Sequence, residues 1–350
     1  MQKTENLLEK LENLISEEKF KQAIVVCDRI LKLDKENFLA NANKANLLAE
    51  TGFHKKAVSY YRKALKTKPD DSSVLFNLAT TLYDLDRYEE AIEFFNKVIK
   101  QCPENVDAIC NKANSLVAIG KHADAITNFN KALKIRPEDT VILSNKGIVF
   151  AGKSRHEKAI GCFDAALALN PADVDTLCNK GNSLAELENF IDAAICFESA
   201  LEIDSHDYDA RFRLGVAYSK TGRLHEAIMC FNRVIKKEPD NTDALLNKGI
   251  TYVTLRRYKN AISCFDKALK KDKHNFEALY HKAQSLAQIG MNKKAISLLR
   301  RAAEKHHKEH THDHDHADDH MSIKNKILKD DSFLPLREEK TFLSFIGTLP

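Results

Sequence analysis

Two groups of residues in this 350-residue chain have the types and spacing to do chemistry. The first is the run KHHKEHTHDHDHADDH, in which His306, His307, His310, His312, His314, His316 and His320 sit among Asp313, Asp315, Asp318 and Asp319. Imidazole and carboxylate at this density can wrap a divalent metal, Ni or Zn above all, although no fixed structural-site spacing is present. The same composition also describes a solvated low-complexity linker whose charge changes below neutral pH. Acids interleaved with the histidines, well inside the chain, argue against an expression tag. The second group is a row of amides, Asn43, Asn77, Asn111, Asn145 and Asn179, spaced by 34 residues, continued after Arg213 by Asn247 and closed by His281. A carboxamide carries donors and an acceptor, so it can pair with the N–H and C=O of an extended ligand backbone without reading its sequence. The alternative is that these amides bond the adjacent helix or line a wet face. The catalytic signatures GxGxxG, GxxxxGK[ST], GxSxG and HExxH do not occur, and His54, His122, His156 and His225 fall in turns or on second helices. A non-enzymatic protein is expected.

The elements that position these residues follow from an internal repeat. Alanine recurs every 34 residues at Ala23, Ala57, Ala91, Ala125, Ala159, Ala193, Ala227, Ala261 and Ala295 without an insertion, giving nine units over residues 4–309. Four residues after it stands a large apolar residue, Tyr61 and then Phe95, Phe129, Phe163, Phe197, Phe231 and Phe265, with Cys27 and Leu299 in the terminal units. Twelve residues before it stands alanine or glycine in all but the first unit, which lets two helices approach closely. Pro69, Pro103, Pro137, Pro171 and Pro239 share one place, twelve residues after the alanine, where proline stops a helix. Two residues on, Asn37, Asp71, Asn105, Asp139, Asp173, Asp207, Asn241 and Asn275 are good N-caps for the next helix. Gly52, Gly120, Gly222 and Gly290 mark the turn inside the unit. Each unit is therefore read as two helices of three to four turns, eighteen helices in all, and four of the eight cysteines, Cys162, Cys196, Cys230 and Cys264, follow the same period as small buried hydrophobes.

These spacings resemble the tetratricopeptide repeat family over residues 4–309, with no tryptophan at the fourth position and with Lys44, Lys112, Lys146, Lys180, Lys248 and Lys282 in place of leucine at the seventh. A lysine stem covers apolar surface while its ammonium reaches water. The resemblance implies an all-α fold, a helix-turn-helix repeat solenoid forming a right-handed superhelix, with first helices lining a concave groove and the sixth position looking into it. The amide row resembles the asparagine ladder of the superhelix in O-linked N-acetylglucosamine transferase. With packed helices about 10 Å apart and an extended chain rising about 3.3 Å per residue, one asparagine would meet roughly every third ligand residue. The family's carboxylate clamp, which binds chaperone termini, is absent: Asp107, Asp175, Asp209, Asp243 and Glu277 stand at the second position where lysine is required. Those acids suit the positive end of a helix dipole.

A net charge of +4 over 350 residues argues against nucleic acid as a partner. No apolar stretch is long enough to span a membrane and the amino-terminal MQKTENLLEKLENL mixes charge with leucine, so a cytoplasmic protein is expected. The expected organisation is a solenoid over 1–309 and a His/Asp-rich, partly disordered tail over 310–350. In that tail Pro335 could open and Gly347 close a short helix carrying Leu336, Phe342, Leu343, Phe345 and Ile346. It could cap the last repeat or lie in the groove as a competitor for ligand. The leading functional expectation is a scaffold or adaptor binding an extended peptide of a partner protein, with no cofactor required. Its rivals are a Ni or Zn handling protein acting through the tail and the substrate-recognition subunit of a separate enzyme.

Overall fold

The structure is a computed structural model and describes residues 2–310 and 323–349, apart from the side chains of residues 2, 3 and 305–310. The chain divides into two compact units, residues 1–171 and 172–350. The first holds five helix pairs: α1 (Gln2–Ser16) with α2 (Phe20–Leu33), α3 (Phe38–Glu50) with α4 (His54–Thr67), α5 (Ser72–Tyr83) with α6 (Tyr88–Gln101), α7 (Val106–Ala118) with α8 (His122–Ile135), and α9 (Thr140–Ala151) with α10 (His156–Leu169). The second holds four: α11 (Val174–Glu186) with α12 (Phe190–Ile203), α13 (Tyr208–Lys220) with α14 (Leu224–Lys237), α15 (Thr242–Thr254) with α16 (Tyr258–Lys271), and α17 (Phe276–Gln288) with α18 (Asn292–His310). There follow α19 (Ile323–Lys329), a 3-10 turn Asp331–Leu336, and α20 (Lys340–Gly347). These are the eighteen repeat helices expected, with no strand among the described residues.

Local signals set the ends of these helices. Every expected cap is made: the side-chain oxygen of Asn37 accepts from the Ala40 amide at 3.0 Å, and Asp71, Asn105, Asp139, Asp173, Asp207, Asn241 and Asn275 do the same three residues on. Each second helix followed by proline has its C-cap on the residue before it, as at Lys68 and Glu238. The turn inside the pair needs a left-handed residue, and Gly52, Gly120, Gly222 and Gly290 supply it with φ between 76° and 81°. The remaining five units adopt it without glycine, at Glu18, Asp86, Ser154, Glu188 and Arg256 with φ of 53° to 58°. Flanking helices clamped together by packing impose that conformation whichever residue fills it.

Within each unit a first helix packs on its own partner and on the second helix of the pair before. The small residue and the aromatic are complementary: a Cβ built on Gly147 would lie 2.5 Å from the Phe163 ring, and one on Gly249 2.4 Å from Phe265. Both rings are fully buried. Cys162, Cys196, Cys230 and Cys264 are buried and in no disulfide, as expected of small hydrophobes. Two of the lysines at the seventh position, Lys44 and Lys282, do more than cover apolar surface. Lys44 is buried and its ammonium binds the Asp28 carboxylate of the preceding pair and the Tyr60 hydroxyl, the latter at 2.7 Å; Lys282 binds Asp266 in the same way. The ammonium is thus a staple between consecutive repeats, and not simply a group reaching for water.

The carboxy-terminal segment corrects one further expectation. Pro335 lies inside the 3-10 turn, and α20 starts instead after Glu339. From Ile323 onward the tail is folded: Ile323, Ile327, Phe333, Leu336, Phe342, Phe345 and Ile346 join one core with Leu279, Tyr280, Ala283, Leu298, Leu299 and Ala302 of α17 and α18. Apolar side chains that alternate with charge along the segment find there the face that a following repeat would have covered. Of the two placements open from sequence, the segment takes the cap.

Candidate functional site

The sixth position lies on each first helix, and the two units can be compared residue by residue. In the first unit Asn43, Asn77, Asn111 and Asn145 are all half-buried. Asn77 donates through Nδ2 to Asn46 Oδ1 at 3.0 Å, and the same oxygen accepts from the Tyr61 hydroxyl at 2.8 Å. The carboxamides of Asn43, Asn111 and Asn145 make no hydrogen bond within the protein among the described residues. In the second unit Asn179 is likewise half-buried and unbonded, Asn247 donates back to the Asp243 carbonyl at 2.9 Å, and the exposed Arg213 pairs with Asp209 at 2.8 Å.

His281, the last of the row, is in different surroundings. Its Nδ1 lies 2.6 Å from Gln284 Oε1, and its ring stacks on Phe265 with centroids 6.1 Å apart. Burial pushes its pKa down, against the opposing pull of Gln284, Glu277 and Asp330 and with the help of Lys326. Beside it the carboxy-terminal segment is bonded to α17. Asp330 accepts from the Tyr280 hydroxyl at 2.8 Å and from Gln284 Nε2, and Gln288 donates to the Ser332 carbonyl at 2.8 Å. Phe333 meets Tyr280 edge-on with centroids 5.5 Å apart. The bonds of His281 and its neighbours are those of a cap interface.

Four positions after the row a hydroxyl recurs, and it was not read from the sequence. Thr81, Ser115, Thr251 and Ser285 each donate to the sixth-position carbonyl, at 2.7 to 2.9 Å. Turned inward on their own helix, these hydroxyls spend their protons on the backbone, and beside Ser115 the Asn111 carboxamide makes no hydrogen bond among the described residues.

Between α3 and α5 the first unit has a cleft of about 600 Å³. Its wall carries Asn46, Tyr61, Asn77, Thr80 and Thr81, the Phe76 ring lines it, and Glu50 and Asp84 are exposed beside it. Phe76 stands edge-on to the buried Phe95, centroids 5.9 Å apart. His54, which opens α4, has an Nδ1 shielded from solvent with no hydrogen-bond partner, 3.9 Å from Asp84 Oδ2. Burial pushes the Tyr61 phenol up to about 12, with the Glu50 charge adding to the shift, so it stays a neutral donor. Glu50 and Asp84 were not singled out from sequence, although both stand at the thirteenth position of consecutive repeats. Of the acids at the second position, Asp107 pairs with Arg136 at 3.0 Å and Asp209 with Arg213.

The run proposed for metal lies outside this description: α18 carries the backbone through His310, the side chains of His306, His307 and His310 are not among those described, and His312, His314, His316 and His320 fall outside the described residues. Among the described residues no three His, Cys, Asp or Glu side chains form a metal-holding group. No described helix is long and apolar enough to cross a membrane.

Family models for the tetratricopeptide repeat match residues 42–106, 110–174 and 246–308, and two further models of that repeat match 174–207 and 208–241. None of the curated proteins matches the chain significantly. Among solved structures, YrrB, described as a tetratricopeptide protein with an unusual peptide-binding site, is 28% identical over 54% of this chain and 97% of its own, with a TM-score of 0.51. The carboxy-terminal part of a repeat protein from Cytophaga hutchinsonii is 16% identical over 68% of this chain and 97% of its own, at a TM-score of 0.60. A tetratricopeptide protein from Parabacteroides merdae is 18% identical over 67% of this chain and 93% of its own, at 0.52. The last two show likeness of fold alone.

Proposed function

The chain belongs to the tetratricopeptide repeat family, a general protein-interaction module, and from that premise we propose that it is a non-enzymatic scaffold holding an extended peptide of a partner protein along its first helices. The observation that carries this reading is the set of amides at one register position with no hydrogen-bond partner among the described residues: Asn43, Asn111 and Asn145 in one unit and Asn179 in the other. An amide already half withdrawn from water, yet unpaired, gains by meeting a backbone N–H or C=O, and the cost of desolvating it has been partly met on folding. The varied fifth position, Ala42, Phe76, Cys110 and Ser144 in the first unit, would supply side-chain preference beside a uniform grip on backbone. YrrB, the solved relative at 28% identity, is described as having a peptide-binding site, which agrees with this reading.

The test is a screen of short unstructured peptides against the wild-type protein and a variant with Asn43, Asn77, Asn111 and Asn145 all changed to alanine. Each backbone bond contributes about 0.5 to 1.5 kcal/mol, so the variant is expected to lose about 2 to 6 kcal/mol of affinity if the four add. Its melting temperature should stay close to that of the wild type, since only Asn77 bonds another side chain. Unchanged affinity in a folded variant refutes the proposal. Metal uptake by His306 to His320 is a separate proposal, resting on seven histidines within fifteen residues. It falls if nickel titration is unaltered when that run is deleted.

A further inference from the structure

We infer that the cleft between α3 and α5 is a subsite for a basic side chain, lysine or arginine, of the bound peptide; the inference rests on the extended-peptide reading above and adds a residue class to it. The reason lies in how the cleft's hydrogen bonds are already spent. Three hydroxyls line it and each has committed its proton inside the protein: Tyr61 to Asn46 Oδ1 at 2.8 Å, Thr80 to the Phe76 carbonyl at 3.1 Å, and Thr81 to the Asn77 carbonyl at 2.8 Å. Asn77 has committed a donor as well, to the same Asn46 oxygen at 3.0 Å, and its own carboxamide oxygen accepts nothing among the described residues. What the lining still offers, beside the Asn46 amide N–H groups and one N–H of Asn77, is a set of acceptors, namely the Asn77 oxygen, hydroxyl lone pairs, and the carboxylates of Glu50 and Asp84, and the carboxylates bring its charge.

Charge points the same way. No lysine or arginine lines the cleft, and Glu50 makes no ion pair among the described residues. Among the described residues the one basic group paired with Asp84 is the His54 imidazole, at 3.9 Å, and not a lysine or arginine. A ligand group that fits must bring several donors and positive charge, and must tolerate an aromatic wall. An ammonium or guanidinium on an apolar stem meets all three demands: donors for the oxygens, charge for the carboxylates, and methylenes or a cation face for the Phe76 ring. An acidic side chain could use the amide N–H groups of Asn46 and Asn77 but would meet the two like charges of Glu50 and Asp84. The cleft volume of about 600 Å³ exceeds what one such side chain fills, so water shares the space and the contact depends on salt.

The experiment uses the full chain and a peptide taken from the screen, with one residue at a time replaced by arginine, lysine, norleucine or glutamate. At one register a basic residue should bind about tenfold tighter than norleucine, the scale of a charge-assisted bond, and glutamate weaker still. The variant Glu50→Gln/Asp84→Asn should erase the difference between the basic and norleucine peptides, read as the ratio of their affinities within the same variant so that any loss common to both cancels. Equal binding of basic and norleucine peptides at every register, or an undiminished preference in the double variant, overturns the subsite. If affinity still depends on the asparagines in that case, the extended-peptide reading survives and only the basic subsite is lost. If no peptide binds at all, both fall.

Discussion

The cleft between α3 and α5 and the capped face of α17 use the same register of the same repeat, with opposite results. Asn77 and His281 occupy one position in their helices, and each has a hydroxyl four residues on that bonds its carbonyl, Thr81 at 2.8 Å and Ser285 at 2.9 Å. At the first place the polar groups border an open cleft in which Asn46 Oδ1 takes two donors while the Asn77 oxygen and the Glu50 carboxylate take none among the described residues. At the second, Tyr280, Gln284 and Gln288 all bond the segment from Asp330 to Ser332. Register decides which face a side chain is on; what packs above decides whether that face is left for a ligand.

The largest effect expected from this contrast is on stability. Phe333 is fully buried in the cap core, whereas Phe76 at the same face of α5 is half-exposed. Phe333→Ala should cost the last pair about 3 to 5 kcal/mol by the usual cost of a large core deletion, and Phe76→Ala only about 1 kcal/mol. In a linear array the Phe333→Ala loss should stay local, so hydrogen exchange would rise in α17, α18 and α20 and not in α13. Equal costs for the two substitutions would show that the two faces are not the open and closed versions described here.

A smaller effect separates a bonded oxygen from an open one. Tyr280→Phe removes the 2.8 Å bond to Asp330 and should cost about 1.5 kcal/mol, the scale of a hydrogen bond to a charged group. Asn111→Ala, which removes no bond among the described residues, should change stability by less than about 0.5 kcal/mol. Chemical denaturation of both variants decides it. A cost at Asn111 as large as at Tyr280 would mean that the amide is structural and not held ready for a ligand.

Much of this was legible before the structure, and the division is physical. Caps, prolines and the small-against-aromatic pair are local signals repeated nine times, so each unit vouches for the others. The left-handed turn at Arg256 and Ser154 was not legible, because packing of the flanking helices imposes it against the residue's own preference. The Lys44 staple needed its partner sixteen residues back: Asp28 precedes Lys44 as Asp266 precedes Lys282, a spacing that single-position reading passes over. The amide row was readable as a row. The acids of the cleft were not, since Glu50 and Asp84 matter only beside Phe76 and the spent hydroxyls, a combination that crosses two repeats. The apolar residues of the tail announced a surface to cover, while their choice of α17 and α18 depended on tertiary fit.

The smallest expected effect is a pH dependence confined to the capped end. Burial holds the His281 pKa below its ordinary value, and the groups around it, Gln284, Glu277, Asp330 and Lys326, only partly offset one another. The folded chain therefore takes up this proton less readily than the unfolded chain, whose imidazole titrates near about 6.5. Above that pH both states are neutral there and stability is undiminished. As pH falls below it, the unfolded state binds the proton first and stability drops, until the folded-state pKa is passed and the loss levels off. One proton sets a ceiling of about 1.4 kcal/mol per pH unit on the slope. Comparing the wild type with His281→Gln between neutral pH and pH about 5 isolates this term from the other histidines. The wild type should lose more stability on acidification than the variant, with the difference read at the last pair. If the two fall in parallel, the imidazole is as open to water as an unfolded one, and the cap does not close over the end of the row.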